Sequence, residues 1–274
     1  MMSLVSSNII LPTITVAIST IAENMDRFLN NFPFESLLDA DEVLIIIQDT
    51  LDHKPMELPS KYIIIEDNGK GVSRSRNLGL SYAKYDYIWF MDDDIQLNND
   101  AIITAKNYIL KYNADIFTVR MQNFDSDAPY KNYPNKHLLG RRDIINISTV
   151  EIIASREFIL DSKVRFNESL GLGTKYPSCE ENIFLLDLLD IGAEIIHVPE
   201  YVQKHPLVNR RRMHFTDPNI LFAKGVFCNR YSGFMGIVLL FLWMCKSLIC
   251  GASFKDAINL VYGYNSADNI LNNV

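Results

Sequence analysis

Three consecutive carboxylates, Asp92-Asp93-Asp94, follow the unbroken apolar run Tyr87-Ile88-Trp89-Phe90-Met91. Such a run reads as a strand buried on both faces, in the middle of a parallel sheet. Ligand sites in these sheets lie beyond the carboxyl ends of the strands, so the triplet stands where a cation would meet it. Strand alternation puts Asp92 and Asp94 on one side and Asp93 on the other. Two oxygen ligands hold Mg2+ or Mn2+ weakly, and these hard cations complete their shells with water and phosphate oxygens. The implied ligand is therefore a diphosphate. The same residues would also serve an ordinary turn, with Asn98, Asn99 and Asp100 placed to cap the next helix. Farther along, Glu180 and Glu181 follow a loop containing Gly171 and Gly173 and open a helix that runs to about Leu189 and stops at Gly192. Glutamates in a first turn suit the helix dipole. A carboxylate held there by backbone N–H groups is expected to stay ionised near neutral pH and to take a proton from an incoming hydroxyl.

The elements that must position these groups alternate through the first half of the chain. Apolar runs at Ile14–Ile18, Glu42–Ile47, Tyr62–Ile65, Tyr87–Met91 and Ile116–Arg120 are interleaved with helical patterns at Asn24–Asn31, Val72–Ala83 and Asp100–Lys111. This βαβ rhythm predicts an α/β fold, a mostly parallel sheet with helices on both faces. The strand ends then carry Ser19, Thr20 and Glu23, Gln48 and Asp49, and the Asp triplet, together a nucleotide cleft. Asn123–Arg142 is polar and interrupted by Pro129 and Pro134, which predicts a long surface excursion, and Ile144–Ala154 is strand-like.

Composition bounds the rest. A chain of 274 residues with 48% apolar content buries a full core. The net charge of −7 argues against a general nucleic-acid binder. Four cysteines without CxxC spacing suggest neither a zinc site nor a disulfide framework, which fits a reducing cytoplasm. Met1–Ile10 lacks the charge and apolar core of a secretory signal.

Taken in order, these residues resemble the family 2 inverting glycosyltransferases of the GT-A fold, over about residues 12 to 205. Ile14-Thr15-Val16-Ala17-Ile18-Ser19-Thr20 is similar to that family's first strand, and Gly71-Val72-Ser73-Arg74-Ser75-Arg76-Asn77-Leu78-Gly79 to its helix before the fourth strand. Phe90-Met91-Asp92-Asp93-Asp94 stands at the DxD motif and Cys179-Glu180-Glu181 at the acidic pair, with Glu181 where Asp is commoner. The resemblance implies Asp49 at the nucleotide base, with Ser19, Thr20 and Glu23 in the nucleoside pocket. It brings Arg74, Arg76, Asn77, Asp92 and Asp93 near the sugar-diphosphate, where guanidinium forks match phosphate geometry. Asp92 and Asp94, with His205, would hold Mn2+ or Mg2+, and Glu181, or else its neighbour Glu180, would be the general base. The implied donor is a nucleotide-diphosphate sugar, UDP favoured, and the acceptor a hydroxyl of a glycan or lipid-linked molecule, as in bacterial surface polysaccharide synthesis. A sugar nucleotidyltransferase would carry a glycine-rich basic loop after the first strand, and Ser19–Asn24 has neither glycine nor Lys or Arg. A non-catalytic nucleotide-sugar-binding or scaffold homologue is the other alternative.

The transferase domain is expected over 1–215 and a helical, apolar appendage over 216–274. Within the appendage Phe234–Cys245 is apolar all round but shorter than the roughly 20 residues that span a bilayer. Basic residues at Arg210, Arg211, Arg212, Lys224 and Arg230 accompany it, which predicts a helix lying on the inner face of the cytoplasmic membrane. The same run would also serve as a helix packed on the domain or as a homodimer contact.

Overall fold

In the computed structural model residues 10–50, 61–206, 212–231 and 233–272 are described. The N-terminal segment before Ile10, and Arg210 and Arg211 of the expected basic cluster, lie outside the described residues. The elements run β1 (Ile14–Ile21), α1 (Met25–Asn31), β2 (Glu42–Gln48), β3 (Ile63–Asp67), α2 (Val72–Tyr82), β4 (Tyr87–Asp92), β5 (Gln96–Leu97), α3 (Ala101–Tyr112), β6 (Ile116–Asn123) and β7 (Leu138–Leu139). There follow β8 (Ile152–Ser155), α4 (Arg156–Ser162), α5 (Glu180–Asp190), β9 (Ile195–His205), α6 (Pro218–Tyr231), α7 (Gly233–Ile249), α8 (Phe254–Ala257), α9 (Asn259–Asn265) and α10 (Ala267–Leu271).

The sheet order is β3-β2-β1-β4-β8-β6-β9-β5, with β7 beside β9. Strands β3, β2, β1 and β4 are mutually parallel, and so are β6 and β9. The short β8 runs antiparallel between β4 and β6. Alternation along the buried strands feeds two apolar layers. Ala17, Leu44, Ile46, Ile88 and Phe90 face Leu80 of α2, Phe184 of α5 and Phe227 of α6. Val16, Ile18, Ile45, Trp89 and Met91 face Phe28 of α1 and Ile102 and Ile109 of α3. Both faces are therefore covered, the condition under which parallel strands lose their polar alternation. Gly79 lets α2 close on the sheet, because a Cβ there would stand 3.1 Å from that of Ala17.

Two expectations need correcting. Ile144–Ala154 is not a continuous strand: it makes two short 3-10 turns before β8 begins at Ile152. The reason is Glu151, fully buried, whose Oε2 accepts from the Ser148 N–H at 2.8 Å and from Lys131 Nζ at 2.6 Å. The second is β9, absent from the elements that apolar patterning predicts. Its hydrogen-bonding partner β6 brings Asn123 level with His205.

The C-terminal helices share the core rather than forming one of their own. Ala223, Val226, Phe227, Tyr231 and Ala267 sit in the same apolar layer as Phe184 and Leu186. Among the described residues no helix is long and apolar enough to cross a membrane.

Candidate active site

The carboxyl ends of β1, β2, β3 and β4 lie in register side by side, Ser19 opposite Asp92 and Gln48 opposite both Ile21 and Asp67. Each end carries polar side chains, and each has a partner that fixes it. Ser75 donates its hydroxyl hydrogen bond to Ser19 Oγ at 2.8 Å. Thr20 Oγ1 donates to Asp93 Oδ2 at 2.6 Å, while Asn24 Nδ2 and an Arg27 guanidinium nitrogen reach the same carboxylate at 3.2 and 2.8 Å. Asp93, expected near the sugar-diphosphate, is thus turned toward β1 and α1 and ties their junction. Glu23 is exposed in the turn between them.

At the end of β2 Gln48 accepts the Gly71 N–H at 2.8 Å, which anchors the start of α2. Asp49 adopts φ of +59°, and its carboxylate faces Lys70 Nζ at 3.2 Å. Left-handed backbone is uncommon for a non-glycine residue but Asp tolerates it. Arg74 and Arg76 are two positions apart on α2, about 200° around a helix, and they diverge accordingly. Arg74 forks Asp67 at 2.6 and 3.0 Å and so holds that carboxyl below the usual carboxylate range. Asn77 clamps a loop, its amide bonded to the Phe166 carbonyl and N–H and to Glu168. Patterning did not single out Asp67, Lys70 or Arg27. The first two flank Asn68-Gly69, a turn signal that marks the end of β3.

Arg76 is 5% exposed and joins two elements distant in sequence. One of its terminal nitrogens donates to Glu180 Oε1 at 2.8 Å and the other lies 3.7 Å from Asp92 Oδ1. Its Nε is buried without a partner. Burial raises the Asp92 carboxyl, against the pull of the Arg76 guanidinium.

The acidic pair itself opens α5 behind a left-handed Cys179 at φ of +69°. The glycine loop before it is pinned to α2, since Val72 N–H donates to the Leu172 carbonyl at 2.9 Å and Ser73 Oγ to the Leu170 carbonyl at 2.7 Å. Gly171, at φ of +98°, leaves room that a Cβ would fill, 2.8 Å from Val72 and 3.0 Å from Glu180. Glu180 is buried and engaged by Arg76; Glu181 is half-buried. Desolvation first, and the neighbouring Glu180 charge second, push the Glu181 carboxyl up to about 8. This corrects the expectation that a carboxylate in the first turn stays ionised near neutral pH. The helix terminus favours the anion, but burial beside a second carboxylate outweighs it.

Asp94 turns to the side away from Asp93, with Oδ1 buried, unpartnered, and 3.8 Å from His205 Nε2. His205 Nδ1 is 2.7 Å from the Pro206 carbonyl, which can only accept. In the neutral ring that bond keeps the proton on Nδ1 and leaves the Nε2 lone pair facing Asp94. Two unshared acceptors facing each other suit a hard cation. Among the described residues no three His, Cys, Asp or Glu side chains gather closely enough to hold a metal by themselves. The donor set fits an ion that completes its shell with water and phosphate oxygens.

The chain resembles known proteins in both sequence and fold. The family model described as glycosyl transferase family 2 matches residues 9–168. Over 173 residues the chain is 20% identical to the poly(ribitol-phosphate) beta-N-acetylglucosaminyltransferase TarS of two Staphylococcus aureus strains, Mu50 and MW2, covering 58% of this chain and 29% of the relative. The chain thus spans less than a third of the curated relatives' length. The crystal structure of S. aureus TarS 1-349 superimposes with a TM-score of 0.60 at 14% identity, covering 94% of this chain and 91% of that one. Its complex with UDP-GlcNAc gives 0.64 at 12% identity, with 94% and 81% covered. These likenesses show the GT-A fold. The family match spans more than half of the chain, and the protein belongs to glycosyl transferase family 2.

Proposed function

We propose that the protein transfers a sugar from a UDP-sugar to a hydroxyl of a cell-surface polymer or its lipid-linked precursor, with inversion, on metal-bound diphosphate. The observation that carries this reading is the Arg76 bridge, which draws the β4 carboxylates and the α5 acidic pair into one site. TarS, the relative of 20% identity, is named for glycosyl transfer to poly(ribitol-phosphate), and its N-terminal part has been crystallised with UDP-GlcNAc and UDP.

In this reading Asp49 and Lys70 lie at the nucleotide base, with Ser19, Thr20 and Glu23 lining the nucleoside side. Asp92, Asp94 and His205 would hold Mn2+ or Mg2+, which supplies positive charge against the departing diphosphate. Arg76 holds Glu180 in a hydrogen-bonded ion pair and leaves Glu181 as the group free to act. Glu181 Oε takes the proton from the acceptor hydroxyl as that oxygen bonds to the anomeric carbon. The bond from that carbon to the diphosphate oxygen breaks on the opposite face, so one displacement inverts the centre. A base poised near the working pH is the most effective kind. The helices from 216 onward form the appendage that holds the enzyme at the inner membrane face.

The test is UDP release from a panel of UDP-sugars with Mn2+, Mg2+ or EDTA, on the wild type and on Asp94→Asn. Metal-dependent release lost in the variant supports the reading. Release that ignores both EDTA and the substitution overturns its metal component, and no release with any donor overturns the choice of UDP.

A further inference from the structure

The most unusual surface of the molecule is the outward face of α7. Phe234, Ile237, Phe241, Leu242 and Ile249 are 78%, 54%, 66%, 55% and 84% exposed, and at i, i+3, i+7, i+8 and i+15 they fall within about 140° of the helix circumference, on one face. The opposite face is fully used: Leu239 and Trp243 pack on the core, and a Cβ at Gly236 would come within 2.3 Å of the Cys228 carbonyl. A contiguous apolar face of this kind marks an interaction site rather than ordinary surface. At its N-terminal end a cavity of about 620 Å³ is lined by Lys136, Arg141, Arg142, Asp143, Tyr231 and Phe234. Arg141 is held by Asp190 and Lys136 by Asp143, but Arg142 is exposed and has no acidic partner among the described residues.

Charge decides what covers this face. From residue 207 to the end the chain has seven Lys and Arg against three Asp and Glu, while the preceding residues have 19 against 30. Lys224 and Lys246 lie over the rings of Phe215 and Trp243, at 4.2 to 5.0 Å, on the same appendage. A second copy would bring a chain whose net charge is −7, whereas an apolar helix too short to span, carrying Lys246 and set in a segment with a basic balance, matches the headgroup layer of an anionic bilayer.

We propose that the outward face of α7 inserts into the interface of an anionic membrane and that the adjoining cavity seats a phosphate headgroup against Arg142. This rests on the membrane location given above and names the surface responsible. The test is co-sedimentation of the full chain with vesicles of phosphatidylcholine alone and of phosphatidylcholine mixed with phosphatidylglycerol, melting temperature being recorded for each variant. The wild type should bind the mixed vesicles and lose them in high salt. Each charge near the surface contributes a factor of about five, so Arg142→Glu should weaken binding about 25-fold and Phe241→Ser at least tenfold. Unchanged binding by both folded variants would overturn the assignment of this face while leaving the membrane location standing. Failure of the wild type to bind either vesicle would overturn both. So would a dimer, in the absence of vesicle binding, that Phe241→Ser converts to a monomer, since a second copy would then be the occupant.

Discussion

Replacing Glu181 with Gln should remove activity and stabilise the protein, and the two effects should be tied by pH. Gln keeps the volume and the polar contacts but cannot ionise. In the folded protein the Glu181 carboxyl titrates at about 8 instead of 4.5. A carboxyl lifted this far favours the native state while protonated, so its contribution is complete below 4.5 and is lost as pH rises to about 8. The interval corresponds to about 5 kcal/mol between the two protonation states. Relaxation of the side chain and the helix terminus toward water reduces this to about 2 kcal/mol of real penalty. For a chain of this size that is a rise in Tm of about 4–8 °C for Glu181→Gln at alkaline pH.

The assay is a melting curve of both proteins at half-unit steps of pH, in buffer without donor or metal. The Tm gap in favour of the variant should open above pH 4.5, widen up to about 8 and then level off. In parallel, wild-type kcat/KM, which reports the free enzyme, should rise with pH to the same region, and the variant should lose about 10²–10⁴-fold in rate. A gap independent of pH, or a variant less stable than the wild type at alkaline pH, would refute the burial argument. A variant with near-normal turnover would refute the role of Glu181.

Arg76→Met should cost roughly 3–5 kcal/mol, because it strands Glu180 and Asp92 without their common cation; denaturant titration measures it, and a loss under 1 kcal/mol would show that the bridge is not structural. Asp93→Ala removes the acceptor shared by Thr20, Asn24 and Arg27, so it should lower stability by about 1–3 kcal/mol while leaving metal-dependent donor binding in place, a split readable by thermal shift with and without UDP and Mn2+. Gly171→Ala meets both a left-handed φ and crowding by Val72 and Glu180; it should cost about 1–3 kcal/mol and reduce turnover more than donor affinity, since the added methyl would press on Glu180 of the acidic pair.

The place of the candidate site in the fold was legible because buried parallel strands announce their ends. Tyr87–Met91 is apolar without interruption, so the first carboxylates after it had to stand at the sheet's rim. The same logic located Ser19, Thr20 and Asp49. What stayed hidden was pairing. Arg74 and Arg76 look equivalent in sequence, yet the turn of the helix sends one to Asp67 and the other to Glu180, and only the assembled fold says which carboxylate waits on each side. β9 was invisible for a local reason: Pro199 and the exposed Glu200 break its apolar run, and with it went the expectation of a strand delivering His205. The Ile144–Ala154 stretch failed in the opposite sense, strand-like by composition but folded into turns by one buried glutamate.

The arrangement of charge explains why these carboxylates are tolerated together at all. Asp93 is neutralised by Arg27, Asp67 by Arg74, and Glu180 by Arg76, each through a short bond that fixes a piece of scaffold. Asp94 and Glu181 are left over, one with a buried oxygen that meets no donor and the other with a proton held well above its ordinary range. Glu151 also has one buried oxygen without a partner, but its other oxygen is held by Lys131 and Ser148, whereas no hydrogen bond reaches Asp94 Oδ1. In the function proposed above each has a use: Asp94 would meet a cation, and Glu181 would take the acceptor's proton. If both are converted to amides, Asp94→Asn with Glu181→Gln, the doubly substituted protein should melt higher than the wild type at pH above 8 and turn over no donor, and a double variant that melts lower would mean these residues serve the scaffold after all.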